Sequence, residues 1–169
     1  MDALEAPLSE LCLGAHGQAE ATLPGDLAVR MELVSIYSAL EDFAAAENLI
    51  REMLQENPSD RGFQLKLAEL LTWEKRYDES ERIYRELLAQ NPYDVDIRIS
   101  LAETMTWAGE ADLSLVEYGH MIDEGNDDWR LLAGFLDAFL GAERRTDSDT
   151  RRLMWMVSLY NRAAEPPTL

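Results

Sequence analysis

Apolar residues along this chain fall at helical spacing, in paired short stripes separated by polar turns. Leu33, Val34 and Tyr37 share one face of a helix, and Ala46, Leu49, Ile50, Met53 and Leu54 share one face of the next. The alternation recurs. Leu67, Ala68 and Leu71 precede Ile83, Tyr84, Leu87 and Leu88, and Leu101, Ala102 and Met105 precede Leu115, Tyr118, Met121 and Ile122. A further helix begins at Trp129 with Leu132, Phe135, Leu136 and Phe139 in register, after which the pattern drifts. The pattern predicts an all-α chain.

Equivalent positions keep a constant interval. Asp26, Asp60, Asp94 and Asp128 stand 34 residues apart, and Pro24, Pro58 and Pro92 lie two residues before three of them. Leu33, Leu67 and Leu101 coincide in this register, as do Phe43 and Tyr77, Tyr84 and Tyr118, and Trp73 and Trp107. A period of 34 residues is one helix–turn–helix unit of a helical solenoid. The punctuation follows from chain chemistry. Proline cannot continue a helix, so Pro58 and Pro92 close the second helix of their units. The following aspartate can accept hydrogen bonds from the free amides of the next helix, and its charge suits that end of the helix dipole. In the third unit Gly125 and Asn126 replace the Asn-Pro pair and end the helix by a left-handed turn, while Gly109 lies in the short inter-helix turn.

These boundaries divide the chain into an N-terminal segment 1–23, units 27–60, 61–94, 95–128 and 129–143 within an array 24–143, a C-terminal helix 144–163 and a tail 164–169. Pro7, Gly14 and Gly17 limit the first segment to one short helix. The C-terminal helix completes or caps the fourth unit. Leu153, Met154, Trp155, Met156, Val157, Leu159 and Tyr160 wrap most of its circumference, whereas the last helix of an array should be polar outside. It is therefore expected to make a second contact through Trp155 and Leu159, with a partner or with another copy of the chain.

Formal net charge is −18, which repels phosphate backbones and anionic lipid and favours cationic partners. Cys12 is the only cysteine, so no internal disulfide or thiolate metal cluster can form. The first basic residue is Arg30, too late for a secretory leader, and no apolar run approaches the roughly 20 residues of a membrane span. The expected location is cytoplasmic, or periplasmic if the chain is a mature form or an excised domain.

The columns resemble the tetratricopeptide repeat family. Counting from residues 27, 61, 95 and 129, its seventh-place leucine is Leu33, Leu67 and Leu101, and its small eighth residue is Ala68 and Ala102, with Val34 in the first unit. The eleventh-place aromatic is Tyr37 and Phe139, the small twentieth residue Ala46, Ser80 and Ser114, and the large twenty-fourth Ile50, Tyr84 and Tyr118. Pro58 and Pro92 match the closing proline. The chain departs from the family in lacking the fourth-place tryptophan and in carrying Met53, Leu87 and Met121 where alanine is usual. Segments 67–80 and 101–114, each with tryptophan shortly after Leu-Ala-Glu, are also similar to repeats of bacterial exopolysaccharide-secretion and cellulose-synthesis proteins.

The resemblance implies a right-handed α-solenoid of three and a half to four repeats with terminal helices. It also implies a concave partner-binding groove lined by Met31, Ser35, Leu65, Glu69, Thr72, Trp73, Ile99, Glu103, Thr106, Trp107 and Asp137. Family members that clamp a peptide carboxylate use lysine, asparagine and arginine at such places; here Glu69, Glu103 and Asp137 form a row. A basic or neutral peptide fits this row, as does a sugar ring stacked on Trp73 and Trp107; the alternative is that both tryptophans fill gaps between repeats and the acids are merely solvated.

Reactive chemistry is poorly represented. The acidic run from Asp123 to Asp128 lacks the register and closing glutamate of an EF-hand, and His120 adds no recognised metal spacing. No nucleophile elbow, phosphate loop or zinc motif frames His16, His120 or Cys12. Glu69 and Glu103 as an acid–base pair on a glycan lack anything to enforce their separation. The expectation is a non-catalytic interaction scaffold without cofactor or metal; the alternative is a periplasmic scaffold of a polysaccharide export complex.

Overall fold

A computed structural model of the protein describes residues 27–164. They form α1 (Leu27–Ala39), α2 (Phe43–Glu56), α3 (Arg61–Trp73), α4 (Tyr77–Gln90), α5 (Val95–Trp107), α6 (Ala111–Asp123), α7 (Trp129–Gly141) and α8 (Asp147–Ala164), with no strand among the described residues. The short helix expected within 1–23, and the tail after 164, lie outside the described residues. The chain divides into two compact units, the first ending at Leu49 and the second beginning at Ile50.

In the first unit Val34 of α1 and Ala46 of α2 have no exposed surface. The intervening turn places Glu41 at φ 59°, and Asp42 Oδ1 accepts from the Ala45 amide at 3.2 Å, capping α2.

The second unit is an array of antiparallel pairs. Each of α3 to α7 packs on the next helix in sequence, α5 also packs on α7, and α8 packs on both α7 and α6. The aspartates cap as their spacing requires. Asp60 accepts from the Phe63 amide at 3.1 Å, Asp94 from Ile97 at 3.2 Å and Asp128 from Arg130 at 2.9 Å. Lys75 (φ 62°) and Gly109 (φ 88°) repeat the left-handed turn residue of Glu41 at the 34-residue interval. After each, an amide reaches back to close the helix: Arg76 to the Leu71 carbonyl at 2.9 Å and Glu110 to Met105 at 2.8 Å.

A buried hydroxyl clasp fastens the two helices of each central repeat. Thr72 Oγ1 and Ser80 Oγ lie 2.6 Å apart and both donate to the Ala68 carbonyl, at 3.0 and 2.7 Å. Thr106, Ser114 and Ala102 repeat the arrangement with the same three distances. Around the clasps run two apolar clusters. Ala68, Tyr84, Leu87, Ile97, Leu101 and Met105 form one, and Leu115, Tyr118, Met121, Leu131 and Phe135 belong to the other.

The fourth repeat departs from this plan. Leu136 and Leu140 stand where the clasp needs alanine and threonine, so the hydroxyl network is lost. Ala142 leaves α7 in an extended conformation, and the connection lengthens to residues 142–146. Arg145 donates to the open carbonyls of Phe139 and Leu140 at the end of α7. Arg152 of α8 crosses close to Gly119 of α6, where a Cβ would lie 2.8 Å from Arg152 Nη1, and pairs with Asp123 and Asp149.

Candidate functional site

One face of the second unit carries the same three places from α3, α5 and α7. At the sixth place stand Lys66, Ser100 and Gly134; at the ninth Glu69, Glu103 and Asp137; at the thirteenth Trp73, Trp107 and Gly141. On α3 the three form a stack, with Lys66 Nζ 3.0 Å from Glu69 Oε2 and 5.5 Å from the centre of the Trp73 ring. Trp73 and Trp107 are 48% and 55% exposed, and so are open to a partner despite their apolar bulk.

The acids differ in their surroundings. Glu69 is neutralised by Lys66, a residue the sequence reading did not single out although an i,i+3 spacing marks it. Glu103 has Ser100 where α3 has Lys66. Burial pushes its carboxyl above the ordinary 4.5, the charge of Asp137 adds to the rise, and Arg130 opposes it. Arg130 itself is held by Asp128 and Asp96. The acidity of this face therefore grows from α3 towards α7.

Two tyrosines reach beneath the acids from α4 and α6. Tyr84 is pushed up to about 12 by burial and by the Glu69 charge, while the nearby hydroxyls of Thr72, Ser100 and Ser80 act the other way. The Tyr118 pKa is likewise raised by burial, then by Glu103 and Asp137, but its hydroxyl is buried without a hydrogen-bond partner. Of the three hydroxyl residues near Tyr84, Thr72 and Ser80 recur as Thr106 and Ser114 around Tyr118, but Ser100 becomes Gly134 in the next repeat. A Cβ at Gly134 would stand 2.2 Å from the Tyr118 hydroxyl.

Several residues expected to line the groove face inward instead. Thr72 (5% exposed) belongs to the hydroxyl clasp, and half-buried Thr106 repeats it. Ile99 (3% exposed) is part of the core, and Leu65 packs against the cluster around Tyr84. The correction has a geometric origin, since these places lie at the flank of the helix, where the adjoining helix covers them. Met31 is half-buried and Ser35 exposed on α1 in the first unit, where the Ser35 hydroxyl donates to the Met31 carbonyl at 3.1 Å. Trp155 of α8 is 40% exposed and Leu159 half-buried. Among the described residues no group of three histidine, cysteine or acidic side chains is placed to hold a metal ion, and no helix is long and apolar enough to cross a membrane.

Paired helices, left-handed turns and clasps recurring every 34 residues define a helical-repeat architecture among the described residues. Residues 37–86 match the family model described as Tetratricopeptide repeat. A tetratricopeptide repeat protein from Parabacteroides merdae shares the fold with a TM-score of 0.68 and 22% identity over 88% of this chain, which spans 57% of that protein's length. A MamA structure (MSR-1 C2) matches with a TM-score of 0.63 and 13% identity, covering 85% of this chain and 82% of its own. A MamA mutant follows at 0.55 and 14%, covering 92% and 90%. No curated protein sequence matches significantly. Residues 37–86 thus carry tetratricopeptide-repeat sequence, and the chain shares the fold of solved tetratricopeptide-repeat structures.

Proposed function

We propose that this protein is a non-catalytic scaffold that holds a basic or neutral protein segment against the face formed by α3, α5 and α7. The observation that carries this reading is the row Glu69, Glu103 and Asp137, flanked by the open rings of Trp73 and Trp107, with a neutralising lysine beside only the first acid. Such a row repels a peptide carboxylate and attracts cations, and the tryptophans supply contact area and cation–π attraction. A second contact is offered by α8, where Met154, Trp155, Val157 and Tyr160 are exposed. Binding to arrays of basic, neutral and acidic decapeptides tests the reading. Glu69→Lys combined with Glu103→Lys is expected to weaken capture of basic peptides by about tenfold or more, with unchanged helix content. Unchanged affinity in that variant overturns the assignment.

The exposed tryptophans also support a second reading, a scaffold within a polysaccharide export complex that touches glycan. Titration with cello-oligosaccharides while following tryptophan emission separates the two. A shift that disappears in Trp73→Ala with Trp107→Ala favours glycan; no shift, alongside basic-peptide capture, removes it.

A further inference from the structure

A second site lies away from the α3–α5–α7 face, beside the N-terminal end of α7. There the α6–α7 connection, the start of α5 and the last turns of α8 enclose an open cavity of about 900 Å³, within the range of roughly 300–1,000 Å³ typical of ligand pockets. Two sequence features belong to this repeat alone. The first residue of each repeat is Leu27, Arg61, Val95 and then Trp129, so an aromatic stands at this place only here. Helix α8 starts late, at Asp147, and runs past the thirtieth place at which α2 and α4 end, so that Leu159 and Tyr160, at the thirty-first and thirty-second places of this repeat, reach the cavity.

The chemistry of the walls is specific. Trp129 and Tyr160, on different helices, are 70% and 61% exposed. Leu132, Met156 and Leu159 add apolar lining. Asp96, Asp127 and Asp128 face a single cation, Arg130, and that guanidinium is already held by Asp96 at 2.7 Å and by Asp128. The wall is thus net negative, and Asp127 has no ion pair among the described residues, on a chain of net charge −18.

We infer that this cavity receives a lysine or arginine side chain of a basic peptide segment. The aliphatic stem lies on Leu132, Met156 and Leu159, the cationic head sits over Trp129 and Tyr160, and Asp127 with the outer oxygen of Asp96 balances its charge. The whole-chain field raises the local concentration of such a segment. The site requires none of the acids or tryptophans of the face described above, although its Arg130 acts electrostatically on Glu103.

Calorimetric titration of the full chain with acetylated, amidated tetra-arginine tests the inference, in the wild type and in a Trp73→Ala, Trp107→Ala background that removes the other aromatic face. The background protein is expected to keep binding. Adding Trp129→Ala or Tyr160→Ala should weaken it about tenfold, adding Asp127→Asn less, and higher salt should weaken all. Both aromatic positions are largely exposed, so circular dichroism should show unchanged helix content. Absence of binding in the background protein overturns the inference while leaving the α3–α5–α7 reading intact. Binding insensitive to Trp129 and Tyr160 also overturns it. Capture of cellotetraose in place of tetra-arginine, lost in Trp129→Ala, assigns the cavity to a glycan and overturns the cationic reading.

Discussion

Two tyrosines at equivalent places differ in what their hydroxyls do. The hydroxyls of Thr72, Ser100 and Ser80 surround that of Tyr84 and oppose the rise in its pKa, whereas the buried Tyr118 hydroxyl has no hydrogen-bond partner among the described residues. A made buried hydrogen bond contributes roughly 1 kcal/mol, and an unmade one costs about 1–3 kcal/mol. Tyr84→Phe is therefore expected to destabilise by about 1 kcal/mol, and Tyr118→Phe to be neutral or stabilising; urea midpoints of the two variants check the contrast. Glu103 predicts a pH effect. Its folded pKa is raised by burial and by Asp137, so between 4.5 and the raised value the folded chain holds more protons than the unfolded one. Its contribution is most favourable in acid and is lost as pH rises through the folded pKa. Glu103→Gln should thus stabilise the protein at pH 7, with the gain vanishing below the ordinary glutamate range. A gain that persists in acid would contradict the raised pKa. Asp123 and Asp128, held low first by hydrogen bonds from Arg152 and Arg130, act in the opposite sense and lose stability as pH falls.

At the scale of helices, close approach depends on missing side chains. A Cβ at Gly134 would lie 2.2 Å from the Tyr118 hydroxyl and 2.4 Å from the ring carbon bearing it, which packing holds in place. Gly134→Ala should cost about 1–3 kcal/mol. Gly119→Ala meets only the movable end of Arg152, and alanine favours a helix by about 1 kcal/mol, so its net effect should be small. Thermal melts of the pair test whether a rigid or a yielding neighbour decides the outcome. Much at this scale was legible from sequence, because proline, aspartate and glycine act through local backbone geometry. Asp60, Asp94 and Asp128 do cap helices, and Gly109 does occupy the left-handed turn. The same turn conformation at Glu41 and Lys75 was hidden, since neither residue advertises it. So was the clasp. Threonine and serine eight residues apart acquire meaning only when two helices bring both to one carbonyl.

Across the whole molecule, periodicity indicated which residues share a helix face but not how deep they lie. Thr72 and Ile99 fell within the repeat places read as groove yet are sealed by the adjoining helix, whereas Trp73, Trp107 and the three acids remain accessible to varying degrees. Lys66 modifies the reading of net charge. The large negative total does not predict that Glu69 carries its own counter-ion, so binding strength should be graded along the face and governed by Glu103 and Asp137. The α8 cavity was out of reach for another reason: it depends on how far the last helix extends past its neighbours, a length that no repeat unit defines.

The Ser100-to-Gly134 change bears on lengthening the array. If residues 95–128 were duplicated in tandem, Tyr118 of the leading copy would face the trailing copy's Ser100 instead of Gly134. The phenol would have to give way to the serine Cβ, which at Gly134 would stand 2.2 Å from its oxygen, and would then have the hydroxyl neighbour that Tyr84 has; only the final copy would keep the present arrangement. The protein thus tolerates its flaw at the last internal junction, and growth by whole repeats would mend each junction it adds.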